Sequence, residues 1–175
     1  MKRSIITAAI VSFAAAAFAQ SAAEKTGVNS LVGAAPATQD FVNEAASSDM
    51  FEIESSKLAL QQGDDATKTF AQQMIEDHQK TTSQLKDLVT SGKTKATLPT
   101  QMSSNQKKML ARLQKLKGRE FVQRYDSDQR SAHASAVDLF KRYGEGGKDA
   151  ALKAWAANTR PTLEHHLEMA KQLGK

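Results

Sequence analysis

Four histidines, His78, His133, His165 and His166, stand among scattered carboxylates as the residues of this chain best equipped for chemistry. Imidazole nitrogen and carboxylate oxygen are donors that suit zinc, iron, manganese or copper, and imidazole also changes charge near neutral pH. The chain has no cysteine, which excludes thiolate metal sites, thiol nucleophiles and disulfides. Any ion must therefore be held by nitrogen and oxygen. His78 sits in the stretch FAQQMIEDHQKTTSQLKDLV, where Ala71, Met74, Ile75, His78, Thr82, Leu85 and Val89 recur at the spacing of one helical face. Glu76 falls on the opposite face with Gln72, Gln73, Gln79 and Lys80, and Asp77 lies on the flank beside His78. An imidazole on an apolar stripe needs a hydrogen-bond partner or a metal, because leaving it unsatisfied costs roughly 1 to 3 kcal/mol.

Two more histidines fall on inner stripes of other helices. His133 lies in line with Val122, Tyr125, Gln129, Ala132, Ala136, Val137 and Phe140, and His166 with Leu152, Trp155, Thr159, Thr162, Leu163, Met169 and Leu173. His165 points to the polar side with Glu168 and Gln172. If three positions in seven face a core, chance would place all three inward with a probability of roughly 0.08. A further helix has no histidine, but carries Asp49 and Glu52 on or beside a face made by Val42, Ala45, Ala46, Ile53 and Leu60, with Glu54 apart beside Phe51 and Leu58. In an antiparallel pair, side chains lean toward the N-terminus of their own helix, which brings Glu52 and His78 toward one level. The candidate set is Glu52, His78, His133 and His166 around a single divalent ion, with Asp49, Glu54 and Asp77 in reserve. The alternative is a hydrogen-bond network of the same histidines with Glu52, Asp77, Asp126 or Gln129, holding helix register and binding nothing.

The elements that must position these residues are helices. The first is expected from Asp40 to Leu60 with Gly63 as its stop. Asp64 or Asp65 caps a second that runs to Thr90 and ends at Gly92. A long connection containing Leu98-Pro99 precedes a short helix started by Ser103 or Ser104 and carrying Met109, Leu110, Leu113 and Leu116. A third long helix is expected from Arg119 to Tyr143, closed by Gly144, Gly146 and Gly147, which read as too flexible for helix. The last is expected from Lys148 to Leu173, with a kink or break at Pro161. No stretch reads as a strand. The fold class expected is all-α: an antiparallel four-helix bundle with an extra short helix before the third.

At the N-terminus Lys2 and Arg3 precede an apolar run from Ile5 to Phe18, and Ala17-Phe18-Ala19 has the small-x-small form of a cleavage site. Residues 1–19 are therefore expected to be a signal peptide, 20–38 a disordered leader and 39–175 one helical domain, exported and periplasmic. The formal net charge is +5, of which Lys2 and Arg3 supply two, too mild a surplus to point to nucleic acid. No glycine-rich phosphate loop follows a strand, so neither nucleotide nor flavin is expected. Lys107, Lys108, Arg112 and Lys115 lie in a stretch from Leu88 to Glu120 with no acidic residue between its ends, which makes an anionic membrane surface the one macromolecular partner suggested, and a solvated face the commoner explanation.

The runs FVNEAASSDMFEIESSKLAL, FAQQMIEDHQKTTSQL, Gly118-x-x-Phe121 with Tyr125 and His133, and RPTLEHHLEMA together resemble the domain of unknown function 4142 family of exported bacterial proteins, over about Asp40 to Lys175. The resemblance implies a ferritin-like bundle, and members are often labelled membrane or outer-membrane proteins. Its pattern falls on Glu52, on Asp77-His78, on His133 and on His166-Leu167, with Val122 where the pattern often has aspartate. A ferritin-like di-iron centre needs Glu-x-x-His on two helices, yet Ile75 and Leu163 stand three residues before His78 and His166. Ferroxidase chemistry is therefore not expected. Two functions follow: a periplasmic protein holding one divalent ion, with a redox or envelope-stress role, or a non-enzymatic envelope module whose histidines are structural.

Overall fold

The computed structural model describes Glu24 and residues 27–174. The expected signal peptide lies outside them. A one-turn helix, α1 (Val28–Leu31), precedes α2 (Thr38–Gln62), α3 (Asp65–Thr90), the short α4 (Ser104–Leu113), α5 (Gly118–Gly146) and α6 (Ala150–Gln172). There is no strand among the described residues. Side chains start three of these helices: Asp64 accepts from Thr67 N at 2.8 Å and Ser103 from Gln106 N at 3.3 Å, both among the caps expected from sequence, and Asp149 accepts from Leu152 N at 3.0 Å, which starts the last helix just past the expected Lys148.

The four long helices form a square. α2 packs closely on α3 and α5 on α6, each pair joined by a short turn, while α2–α5 and the thinner α3–α6 seam close the other two sides. Contacts across those sides run antiparallel. Phe41 stacks on Tyr143 with centroids 3.9 Å apart while Ser56 Oγ meets Tyr125 Oη at 2.8 Å; across the seam Trp155 Nε1 donates to Gln84 Oε1 at 3.1 Å and His166 to Asp77. α4 lies against α2, where Ser47 bonds Gln106 and accepts from Ser103 N at 2.7 Å.

The core comes in two apolar clusters. One gathers Phe41, Leu85, Phe140, Tyr143, Leu152 and Trp155, the other Phe51, Phe70, Met74, Phe121, Tyr125 and Ala170. Along every long helix the residues between the clusters include buried polar ones: Asp49 on α2, His78 and Thr81 on α3, Gln129 and His133 on α5, His166 on α6. The bundle thus carries one polar layer clamped between two apolar ones. A polar layer surrounded by packed hydrocarbon cannot draw on solvent for its hydrogen bonds, so it must be satisfied from within or by a ligand.

Two local features differ from the sequence expectation, the end of α5 and the stretch before α2, while Gly63 stops the first long helix as expected but for a different physical reason. α5 continues through Gly144 and Gly146 to a cap at Gly147, because Gly144 is a packing residue: a Cβ there would come within 3.1 Å of Ala157 N on α6. Gly63 ends α2 with φ −75°, so its role is spatial, since a Cβ would meet Ala59 O and the Thr67 side chain at 2.7 Å. The stretch before α2 is docked where a loose leader was expected. Arg142 is buried and holds Glu24 at 2.9 Å, Asp138 at 2.8 Å and the Ala34 carbonyl at 2.8 Å, and Ser30 Oγ donates to Asp138 at 2.9 Å. Pro161 lies inside a helix that remains one element.

Candidate metal centre

His78 on α3, His133 on α5 and His166 on α6 are 2, 1 and 1% exposed and bring one nitrogen each to a common point, all three nitrogens within 4.8 Å of one another. Their ring centroids form a nearly equilateral triangle: 5.7 Å between His78 and His133, 5.5 Å between His78 and His166, 5.4 Å between His133 and His166. An ion ~2.05 Å from each nitrogen would place the centroids ~5.2 Å apart at tetrahedral angles and ~5.5 Å apart at trigonal ones, once the half-width of the ring is added. The centroid triangle is within a few tenths of an ångström of that size, and the nitrogens, up to 4.8 Å apart, have to close inward to the ~3.4 to 3.6 Å that such an ion requires.

Each ring is fixed by its other nitrogen. His78 Nδ1 donates to Asp49 Oδ1 at 2.8 Å, His133 Nδ1 to the Gln129 carbonyl at 2.9 Å, and His166 Nε2 to Asp77 Oδ2 at 2.9 Å. A carbonyl or carboxylate oxygen only accepts, so these contacts place the proton of each neutral ring on the outer nitrogen and leave a lone pair on the inner one. Those inner atoms, His78 Nε2, His133 Nε2 and His166 Nδ1, are buried without a hydrogen-bond partner. Histidines that ligate metals are commonly oriented by carboxylates and carbonyls in this manner. Asp49 is itself tied down by Thr81 Oγ1 at 2.9 Å and Thr82 Oγ1 at 3.1 Å on Oδ2.

Glu52 completes the buried polar set from α2. It is 1% exposed, and neither carboxylate oxygen makes a hydrogen bond of good geometry, the Gln129 amide standing only within weak reach. Burial pushes its carboxyl up to about 7, against the pull of His78 and the Gln129 amide. Burial also opposes charge on His78, but Asp49, Glu52 and Asp77 outweigh it and raise that ring above its ordinary value. His133 is driven down to about 3 by burial and by the neighbouring His78 and His166. Burial and His78 likewise take His166 down to about 4 in spite of Asp77. Two of the three rings are thus held neutral, the form that ligates.

The fates of the residues proposed from sequence divide cleanly. The three inner histidines converge, and His165 is exposed. Glu52 reaches the same layer but lies outside the trio of nitrogens that close to 4.8 Å. Asp49 and Asp77 orient rings, which occupies the oxygens facing the histidines. Glu54 is exposed and pairs with Lys57 at 2.6 Å, so it is removed from the reserve set. Sequence reasoning missed the Gln129 carbonyl, because a backbone acceptor has no residue-type signal. It also missed Thr81, which lies just off the periodic stripe.

Residues 20–173 fit the family model described as Domain of unknown function (DUF4142). No curated protein and no solved structure matches the chain.

Proposed function

Starting from a chain that belongs to the DUF4142 family, whose activity is unassigned, we propose that the bundle is a resident-metal protein: one divalent transition ion bound by His78, His133 and His166, with Glu52 as fourth ligand. The observation that carries this is the trio of unpartnered inner ring nitrogens gathered within 4.8 Å of one another inside a buried layer. Three acceptors facing one another repel, and a cation is the one species that satisfies all three at once. Glu52 supplies an anion of matching burial, and binding an ion there would draw its proton off. Histidine-rich nitrogen ligation with one carboxylate suits zinc, manganese or iron.

The burial of the rings speaks for a retained ion over one that turns over a bulky substrate. An ion in such a layer can brace the four helices or cycle by electron transfer, which is where a redox or envelope-stress role would arise. The N-terminal sequence supports export to the periplasm, and no described helix is long and apolar enough to cross a membrane. A second reading has its own support: the raised pKa of His78 favours an ion-free layer in which that ring is protonated and donates to a neighbour. A single added proton serves only one of the unpartnered acceptors, and the layer would then be a structural network in a non-enzymatic envelope module.

Elemental analysis of the mature protein purified from its native periplasm tests the proposal. About one equivalent of a single transition metal is expected, and its loss in His78→Ala. Metal-free protein with a native melting curve that no added ion shifts would favour the network.

A further inference from the structure

Resting on the metal reading, we infer that ions enter and leave the layer through the α3–α6 seam, with Asp77 as the outer carboxylate that captures the cation and His166 as the ring that turns to pass it inward.

Of the groups that hold the three rings, only Asp77 reaches solvent. Its side chain is 27% exposed against 8% for Asp49, and His133 is held by a backbone carbonyl inside its own helix. Asp77 Oδ2 is shared by His166 Nε2 at 2.9 Å and Gln73 Nε2 at 2.6 Å, while Oδ1 accepts no hydrogen bond from the described residues. One oxygen of a surface carboxylate is thus open to a cation, and the other touches a ligand ring. Asp49 offers no such opening, because both of its oxygens are occupied by His78, Thr81 and Thr82.

The seam behind Asp77 is the least closely packed side of the square. Pro161 lies in α6 five residues before His166 and on its exposed side. Proline has no N–H to return to the carbonyl of Ala157, four residues earlier, so the turn of α6 just before the one that leads to His166 lacks one of its ladder bonds. Neither α3 at His78 nor α5 at His133 contains proline. The one proline-bearing helix of the three therefore carries the ring whose partner, Asp77, reaches solvent, and a modest outward turn of α6 at this point opens a path from Asp77 past His166 while His78 and His133 stay fixed by their partners.

The test follows uptake and chelator-driven release of Co²⁺ by its visible absorption in stopped flow, on the mature chain. Asp77→Asn should slow uptake about tenfold, a loss of the size that ring partners of ligands produce, and Asp77→Glu should restore it. Asp49→Asn should express its weaker affinity in faster release, with uptake near wild type. Glu76→Gln, a neighbouring exposed carboxylate, should leave uptake unchanged, which separates capture from general loss of charge. Pro161→Ala should slow uptake and release together with the same Kd. Equal uptake rates in wild type, Asp77→Asn and Pro161→Ala would overturn the route while leaving the metal reading intact. A wild-type chain that takes up no Co²⁺ at equilibrium would overturn both.

Discussion

Asp49 accepts the Nδ1 proton of His78 at 2.8 Å three residues before Glu52, so a single turn of α2 supplies both the anchor that does most, against burial, to raise the pKa of that ring and a buried carboxylate that adds to the rise. Replacing Asp49 by alanine strips the His78 ring of its partner and removes the side-chain acceptor of Thr81 and Thr82, leaving Thr81 only the His78 carbonyl. Breaking a buried pair from one side costs roughly 3 to 5 kcal/mol. Asp49→Ala is expected to lose that much stability in urea unfolding and roughly 10- to 100-fold in metal affinity. A loss below about 0.5 kcal/mol, the range of ordinary surface changes, would show that Asp49 does not hold the layer.

Asp126 gives a pH dependence outside the layer. Its Oδ1 is buried without a partner, and burial lifts its pKa from 3.8 to about 6, with Arg130 opposing and Asp64 adding to the rise. The folded chain therefore keeps this proton to higher pH than the unfolded chain does. Between pH 3.8 and about 6 the native state binds more protons, so this group's contribution to stability falls as pH rises through that window and is flat above it. Asp126→Asn removes the penalty. Its stability relative to wild type should increase from pH 4.5 to pH 7.5 in urea titrations. A constant difference at the two pH values would mean the carboxyl titrates normally.

Much of the layer was legible because one rule governs it. Histidine on a 3.6-residue stripe must be buried, and His78, His133 and His166 all are. The same rule cannot rank carboxylates at the edge of a stripe: Asp49 and Glu52 are both buried, and which one touches a ring depends on the depth and rotation of α2, which no periodicity reports. Gly144 misled for a related reason. Glycine marks a break in local terms, yet here it lets α5 approach the Ala157 backbone of α6, a fact of tertiary packing. The docked leader was invisible too, since Glu24 and Arg142 are 118 residues apart and ion pairs at that separation leave no local pattern.

That long-range pair yields its own expectation. Arg142 and Glu24 have side chains only 6 and 8% exposed, so Arg142→Ala removes the cation that faces a buried carboxylate and frees the Ala34 carbonyl. The loss should be roughly 3 to 5 kcal/mol. Limited proteolysis should then cut the stretch before Thr38 faster than in wild type, with α2 to α6 still protected. Unchanged cleavage would mean the leader is held by other contacts.

The metal layer itself makes the sharpest demand. A ligand bound only by the native state stabilises it by RT ln(1 + [L]/Kd), about 2.7 kcal/mol at a hundredfold excess over Kd. At roughly 2 to 4 °C per kcal/mol for a chain of this size, zinc, manganese or iron should raise the melting temperature by roughly 5 to 11 °C. His78→Ala, His133→Ala and His166→Ala should each abolish the rise. His165→Ala should keep it, because that ring is exposed. Glu52→Gln separates the roles of its carboxyl: held up to about 7 by burial, it costs the ion-free fold stability as pH rises from 4.5 toward 7, so the variant should melt higher than wild type with chelator yet gain less from metal. His133 and His166 are already neutral at pH 7, so protons released on loading come from His78 and Glu52, and calorimetry in buffers of different ionisation enthalpy counts them. If wild type melts at one temperature with chelator and with every metal, while His78→Ala is still destabilised, the trio is a structural network and holds no ion.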